Sequence, residues 1–544
     1  MSMKPLIHSS RLILLSLALS NVQAGAPADV LTDAERARIE GALPAKAPAS
    51  PAKPRRLLVF DLNVGYPGHR SIHHANLAFA LLGKKTGAFE TVLSRDPAVF
   101  GPESLKRFDA VFLNNTVGNL FEDPALRRSL VEFVQGGGGL LGLHGTTVAF
   151  TRWPGAYEDW PEFGALLGGR GARHRESDER VWIKLDSPEH PLVRPFPKGG
   201  FEHRDEFFRV DAPYSRDLVR VLLSIDTEKT DLKSEKWKPE RPDNDYALAW
   251  VRSYGRGRVF YSTIAHDPSV FSDPRMLEFY LGAIQFVLGD LPAPTTPSSR
   301  LTPGVLAREK LGWDLGLTAH GGTLFESIEA AARLGLSSIG GSSSQKVSGE
   351  IPKDLDPGLT DEELAQVRRK LGAAGVRLLV YQVPRIPGDE DVRRRLFEFG
   401  RKLGIEAFIC EPGPESLEGI EKLCDQNDIK VAFLVVPDES QPERILKLLQ
   451  GRGPRIGACL DIAPGSAAAG ALKFFDRRLI AVVLHCASDD GSRREPGAEN
   501  LGRFLDEVYR LSLKPIFFLH RSGAQDPTRA WIDAFDVESV RLAR

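Results

Sequence analysis

The chain has 544 residues, more than one hydrophobic core accommodates, so two domains of ordinary size are expected. Its 42% hydrophobic and 26% charged residues fit a globular protein, and a formal net charge of -1 gives no electrostatic reason to expect nucleic acid or an acidic membrane surface as partner. At the N-terminus, Lys4 and Arg11 precede the apolar run Leu12–Leu19, with Ala24 at the expected cleavage position. This predicts a bacterial export signal over residues 1–24, a periplasmic or secreted mature chain, and no membrane span after cleavage. Residues 25–54, rich in Ala and Pro, read as a disordered leader with one short helix.

From there strands and helices alternate. Leu57–Leu62 is an apolar strand followed by the loop NVGYPGHR and a helix over Ser71–Gly83 with Ser71 as its N-cap. Thr91–Leu93 and Asp109–Leu113 are further strands, and Pro124–Gln135 is an amphipathic helix. It leads into GGGGLLGLHGTT, in which Leu140–Leu143 reads as a buried parallel strand ending on His144. Arg258–Thr263 is another strand, ending at His266 and Asp267. The alternation predicts a doubly wound parallel α/β sheet. Ligands of such sheets bind beyond the carboxyl ends of the strands. His69, Asn115, Thr116, His144 and His266 are therefore expected at one edge.

Histidine titrates near neutral pH and can give or take a proton. His144, His69 and His266 are accordingly the candidate acid/base groups, with Asp205 and Glu206 from EHRDEFF as carboxylate partners. Asn115, Thr116, Thr146, His174, Trp153 and Trp160 are candidate substrate contacts, the tryptophans by stacking on a sugar ring. Trp250 reads as core, Arg258 as a turn residue, and Asp267 as a cap for the helix that follows. The glycine run precedes its strand, so it is not a dinucleotide fingerprint, and no phosphate loop occurs. A G-x-S-x-G elbow is absent too.

The order and spacing of GYPGHRSI, FLNNT, GGGGLLGLHG, LLGGRGARH, EHRDEFF, ALAWV and YGRGRVFYSTIAHD resemble the trehalose-utilisation (ThuA-like) family over residues 55–291. The resemblance implies a class I glutamine-amidotransferase-like fold and a role in carbohydrate processing. Those amidotransferases use a cysteine nucleophile. All four cysteines here, Cys410, Cys424, Cys459 and Cys486, lie in the second half, which excludes thiolate chemistry in the first. Their spacing matches no zinc motif and predicts buried thiols rather than disulfides.

Residues 292–304 are a Pro/Ser/Thr linker. Beyond it, over 305–544, repeated strand–helix units predict a (β/α)₈ barrel. FESIEAAARLGLSSI, FEFGRKLGIEAFI, GACLDI and VVLHCASDD resemble the xylose-isomerase-like family of sugar isomerases and epimerases. That resemblance implies a divalent metal at the strand ends. Asp461 and His485 match two of its ligands, Asp489 lies near a third position, and His520 stands where a glutamate is usual. The set is degenerate, leaving Asp461, His485 and His520 as a softer candidate metal site.

The resulting expectation is an exported carbohydrate-active protein. Acid/base cleavage or rearrangement of a glycoside or keto-sugar would take place at the His-rich first-domain site, with no strong nucleophile required and a divalent metal expected, if anywhere, in the barrel. The alternatives are a non-catalytic sugar-binding scaffold and a metal-dependent isomerase working through the barrel. A carbohydrate is the expected partner, and a homo-oligomer is compatible with the sequence.

Overall fold

The computed structural model describes residues 31–152, 158–232, 241, 243–319, 322–413, 417–437, 441–463, 469–486, 498–521 and 527–544. The expected export signal, Trp153 and Asp489 lie outside the described residues. The first domain contributes β1 (Arg56–Phe60), β2 (Glu90–Ser94), β3 (Ala110–Asn114), β4 (Gly139–Leu143), β5 (Arg170–Arg173), β6 (Glu179–Leu185), β7 (Phe201–Asp205), β8 (Arg209–Asp211), β9 (Arg220–Ile225), β10 (Ala247–Tyr254) and β11 (Gly257–Ser262). Nine of these form one sheet in the order β2-β1-β3-β4-β11-β10-β9-β6-β7. The pairs from β2 to β11 are parallel and those from β11 to β7 antiparallel. The sheet is therefore mixed, and the parallel sheet read from the sequence is its site-bearing half.

β3 and β4 are buried along their whole length, which is why they carry unbroken apolar runs instead of an alternating pattern. The helix Pro124–Gln135 between them starts on an Asp123 cap and a first-turn proline. Gly139 opens β4 because helix Pro274–Leu288 lies directly against it: a Cβ there would stand 2.2 Å from the Val287 carbonyl oxygen.

The leader carries its short helix, and one local expectation is corrected. Thr32 and Glu35 close a capping box on helix Asp33–Ala42, and Ile39, Ala42 and Leu43 join the first-domain core. Three apolar residues on one side of a capped helix suffice to dock it. Ser71 is not an N-cap. Arg70 holds that position in helix Ser71–Thr86, while the Ser71 hydroxyl donates to the Ala265 carbonyl at 2.7 Å, joining the helix start to the chain beyond β11.

The second domain is a closed barrel of eight parallel strands with its own core: β12 (Asp314–Ala319), β13 (Ser338–Ser342), β14 (Arg377–Gln382), β15 (Ala407–Cys410), β16 (Lys430–Val435), β17 (Ile456–Ile462), β18 (Leu479–His485) and β19 (Ile516–Arg521). All four cysteines are buried there without a disulfide. Among the described residues no helix is long and apolar enough to cross a membrane.

The linker is fastened down. Ser298 Oγ accepts from Val221 N–H at 2.9 Å, and Arg300 donates to the carbonyls of Leu336 at 3.0 Å and Gly375 at 2.9 Å. Arg256, just before β11, donates to the carbonyls of Gly136, Asn427 and Asp428, while Gln135, just before β4, donates to Leu403 at 2.9 Å. Arg220 pairs with Glu309 at 3.2 Å. On the barrel side these partners lie in segments entering β12 to β16, so the amino ends of both strand sets face the interface. The carboxyl ends, where ligands bind, point away from it.

Candidate active site

Three strands of the parallel half deliver the site, β4 and β11 side by side and β1 separated from β4 by β3. The loop after β1 brings Tyr66 and His69, β4 ends directly on His144, and the chain beyond β11 brings His266. His144 is wholly buried (0% exposed) and has φ 40°, a left-handed conformation uncommon for a side-chain-bearing residue. The strand thus turns sharply at the residue that carries the imidazole. Its Nδ1–H donates to the Thr263 carbonyl at 2.9 Å, which leaves the Nε2 lone pair facing inward. Phe208 lies against the ring with centroids 3.9 Å apart.

Glu206 is the carboxylate at the centre. Its Oε1 is 3.3 Å from His144 Nε2, and its Oε2 is 3.5 Å from His174 Nδ1 and 3.8 Å from His266 Nε2. His69 completes the group, its ring 4.9 Å from that of His144 and 5.3 Å from that of His266, with Nε2 3.2 Å from the Tyr66 hydroxyl. The side chains of His174 and His266 are 41% and 28% exposed, so they form the solvent-facing lip.

Burial pulls the His144 imidazole below its ordinary range, against the opposing pull of Glu206. Burial, with His144 and His266 nearby, takes His69 down to about 3. For Glu206 burial acts upward, but the bond and charge of His144, with His266 and His174, leave the carboxyl below its usual value. One ring nitrogen each of His69 and His144 and a Glu206 oxygen lie within 4.8 Å of one another, an arrangement that can hold a metal ion.

The structure brings together His69, His144, His174, Glu206 and His266 and moves several other candidates out of the site. Asp205 points away from the imidazoles. Its oxygens accept from the backbone N–H groups of Asp267 at 2.7 Å and His266 at 3.3 Å, so it shapes the loop that presents His266. Burial pushes its carboxyl well up. Asn115 accepts from Gly145 N–H at 3.1 Å and donates to the Ala265 carbonyl at 3.3 Å. The Thr146 hydroxyl donates to backbone carbonyls of Leu113 and Leu143. Asn115, Thr116 and Thr146 are all fully buried, hence scaffold rather than substrate contacts. Trp160 packs against Phe150 and Phe163 and is not offered to a sugar. Asp267 caps the short helix after it, and Arg258 bonds the Gly137 carbonyl.

Tyr66 and Phe208 were not singled out from the sequence. The only hint is position: both flank site residues, in GYPGH and DEFF. In the barrel, Asp461 Oδ1 and His485 Nε2 stand 2.5 Å apart, and the His520 ring lies 4.6 Å from that of His485 with Nδ1 on the Thr318 hydroxyl. Among the described residues these three do not form a convergent metal-ligand group.

The family model described as ThuA, trehalose utilisation, matches residues 56–287. This part of the chain is a ThuA-like domain. No curated protein matches the chain. Among solved structures, a ThuA-like protein from Bacteroides uniformis is 22% identical, covering 44% of this chain and 94% of its own at a TM-score of 0.37. A Parabacteroides distasonis protein is also 22% identical, covering 42% of this chain and 98% of its own at 0.36. 3-Keto-D-glucoside 4-epimerase from E. coli is 12% identical over 42% of this chain and 98% of its own, at 0.30. The ThuA-like domain and its family support a carbohydrate-related function.

Proposed function

We propose that the ThuA-like domain of an exported protein transfers protons on a carbohydrate substrate, at a carbon next to the carbonyl of an oxidised (keto) sugar. The observation that carries this reading is Glu206, an ionised carboxylate that faces buried His144 with one oxygen and the accessible His174 and His266 with the other. A carboxylate placed behind an imidazole orients it and supports the cation it becomes. His174 and His266 are the imidazoles that both Glu206 and solvent reach, so they are the groups that take up and return the proton. Once a proton leaves the carbon beside a carbonyl, return on the other face gives rearrangement. Loss of a substituent one carbon further on gives cleavage. Neither route needs a strong nucleophile, in keeping with a first domain without cysteine. The barrel, with Asp461 and His485 paired at its strand ends, serves in this reading as a second sugar-binding module.

The test is solvent deuterium exchange followed by NMR. The mature chain is incubated in D₂O with trehalose, other disaccharides and their keto derivatives. Enzyme-dependent exchange beside the carbonyl of a keto-sugar is expected, falling at least ~100-fold in His174→Ala or His266→Ala, the usual weight of a positioned acid or base. Exchange no faster than in buffer for every sugar, or unaltered in both variants, would sink the proposal.

A further inference from the structure

We infer that His69, His144 and Glu206 form a binding site for a divalent transition-metal ion of the zinc class, in the ThuA-like domain and not at the strand ends of the barrel. Two buried nitrogens face the carboxylate there: His69 Nδ1 makes no hydrogen bond, and His144 Nε2 has only Glu206 Oε1 before it, at 3.3 Å. A buried polar atom left unpaired is costly, and two imidazole lone pairs beside a carboxylate oxygen offer each other nothing but repulsion. A cation between them removes both penalties. Ligands arranged tetrahedrally at 2.0–2.1 Å from zinc stand about 3.3 Å apart; His144 Nε2 to Glu206 Oε1 is 3.3 Å, and the three ligand atoms lie within 4.8 Å, so binding draws His69 inward.

The far sides of the two rings are already fixed. His144 Nδ1–H is held by the Thr263 carbonyl at 2.9 Å, and His69 Nε2 by the Tyr66 hydroxyl at 3.2 Å. Ligating histidines are oriented in this way, with the outer nitrogen bonded and the inner one presenting its lone pair. Two imidazoles and one carboxylate suit zinc and its neighbours. Magnesium and calcium call for oxygen-rich sets.

Three protein ligands leave a tetrahedral ion one open position, the hallmark of a catalytic site as opposed to a structural one. On the side that solvent reaches, the lip is formed by His174 and His266, held by Glu206 Oε2 while Oε1 is left for the metal. A carbonyl oxygen of the sugar occupying that position would be polarised next to the carbon that loses its proton. This role rests on the proton-transfer reading above, whereas occupancy by metal does not.

The experiment uses the full mature chain, stripped with a chelator and titrated with Co²⁺ in the absence of any sugar. We expect one ion per chain with the visible absorption of a four-coordinate site, and a melting temperature that rises with Co²⁺ or Zn²⁺. His69→Gln and Glu206→Gln should lose the band and the thermal shift, while melting within a few degrees of the stripped wild type. Tyr66→Phe should weaken binding about 10-fold or more by releasing the outer nitrogen of His69. His485→Gln, in the barrel, should keep both signals. A folded wild type that takes up no Co²⁺ or Zn²⁺ overturns the inference. So do signals that persist in His69→Gln and Glu206→Gln and vanish in His485→Gln, which would move the site to the barrel. Metal bound without deuterium exchange refutes the proton-transfer reading alone, and exchange unaffected by chelation refutes the metal's polarising role alone.

Discussion

His190 offers a quantitative check on how the linker is held. Its Nδ1 accepts the Leu192 N–H at 3.3 Å, and its Nε2–H donates to the Pro294 carbonyl at 3.1 Å. Both nitrogens are therefore committed as a neutral imidazole, and protonation would set a new Nδ1–H against the Leu192 N–H. Burial pulls this histidine from 6.5 to about 4, the Pro294 bond opposing only in part. Between those values the unfolded chain binds a proton that the folded chain refuses, so stability rises with pH. The contribution of His190 is complete above about pH 6.5 and is lost as pH falls toward 4, reaching ~3 kcal/mol at about 1.4 kcal/mol per pH unit. The assay is urea unfolding at pH 7.5, 6, 5 and 4 on wild type and His190→Asn, a variant that keeps an acceptor for Leu192 N–H but cannot titrate. Burial lowers His69, His144 and His203 too, so the quantity to read is the difference between the two proteins. That difference should shift by ~2–3 kcal/mol across the range. If the two proteins lose stability in parallel, the neutral anchor is refuted.

Gly118 has φ 90°, and a Cβ there would stand 2.1 Å from the Val64 carbonyl oxygen, so Gly118→Ala should force apart the loops that carry Tyr66 and Asn115. A cost of at least ~2 kcal/mol is expected from the melting temperature, and weaker Co²⁺ uptake from the displaced His69. Arg256→Met should remove the charged bonds to Gly136, Asn427 and Asp428, costing about 2–4 kcal/mol. Faster proteolytic nicking of the linker would report it, and an unchanged cleavage rate would argue that the domains do not depend on this contact. Trp160→Leu should lower the melting temperature while leaving sugar binding by calorimetry unaltered, because the ring packs on Phe150 and Phe163. The four buried cysteines should stay silent to a thiol reagent in the native protein and react in full in denaturant.

Much of this architecture is visible in the chain itself because its strands are short apolar runs punctuated by glycine and asparagine. Leu140–Leu143 and His144 could be placed at a strand end on that basis, and other strand ends of the same sheet put His69 and His266 beside it. What the sequence could not resolve is which of two adjacent acids turns inward. Asp205 closes β7 and serves backbone donors, while Glu206, one residue on, reaches the imidazoles; a single residue reverses the direction. Nor could polarity distinguish Asn115 and Thr146 as buried scaffold, since a side chain bonded to backbone and one offered to a ligand look alike in sequence. The fastened leader and linker escaped for a related reason. Alanine and proline suggest disorder, and only the contacts of Ile39, Ala42 and Arg300 show otherwise.

Joining the two domains through the amino ends of their strands has a consequence for traffic between them. A strand of five to seven residues spans about 17–23 Å, so the ThuA-like site and the barrel mouth open to opposite sides of the molecule, some ~40 Å apart. Anything released at one end must travel through bulk solvent to reach the other. A scavenger added outside would intercept it. The fusion therefore fixes a one-to-one supply of the two modules and sends them to the same place, without a private passage between them.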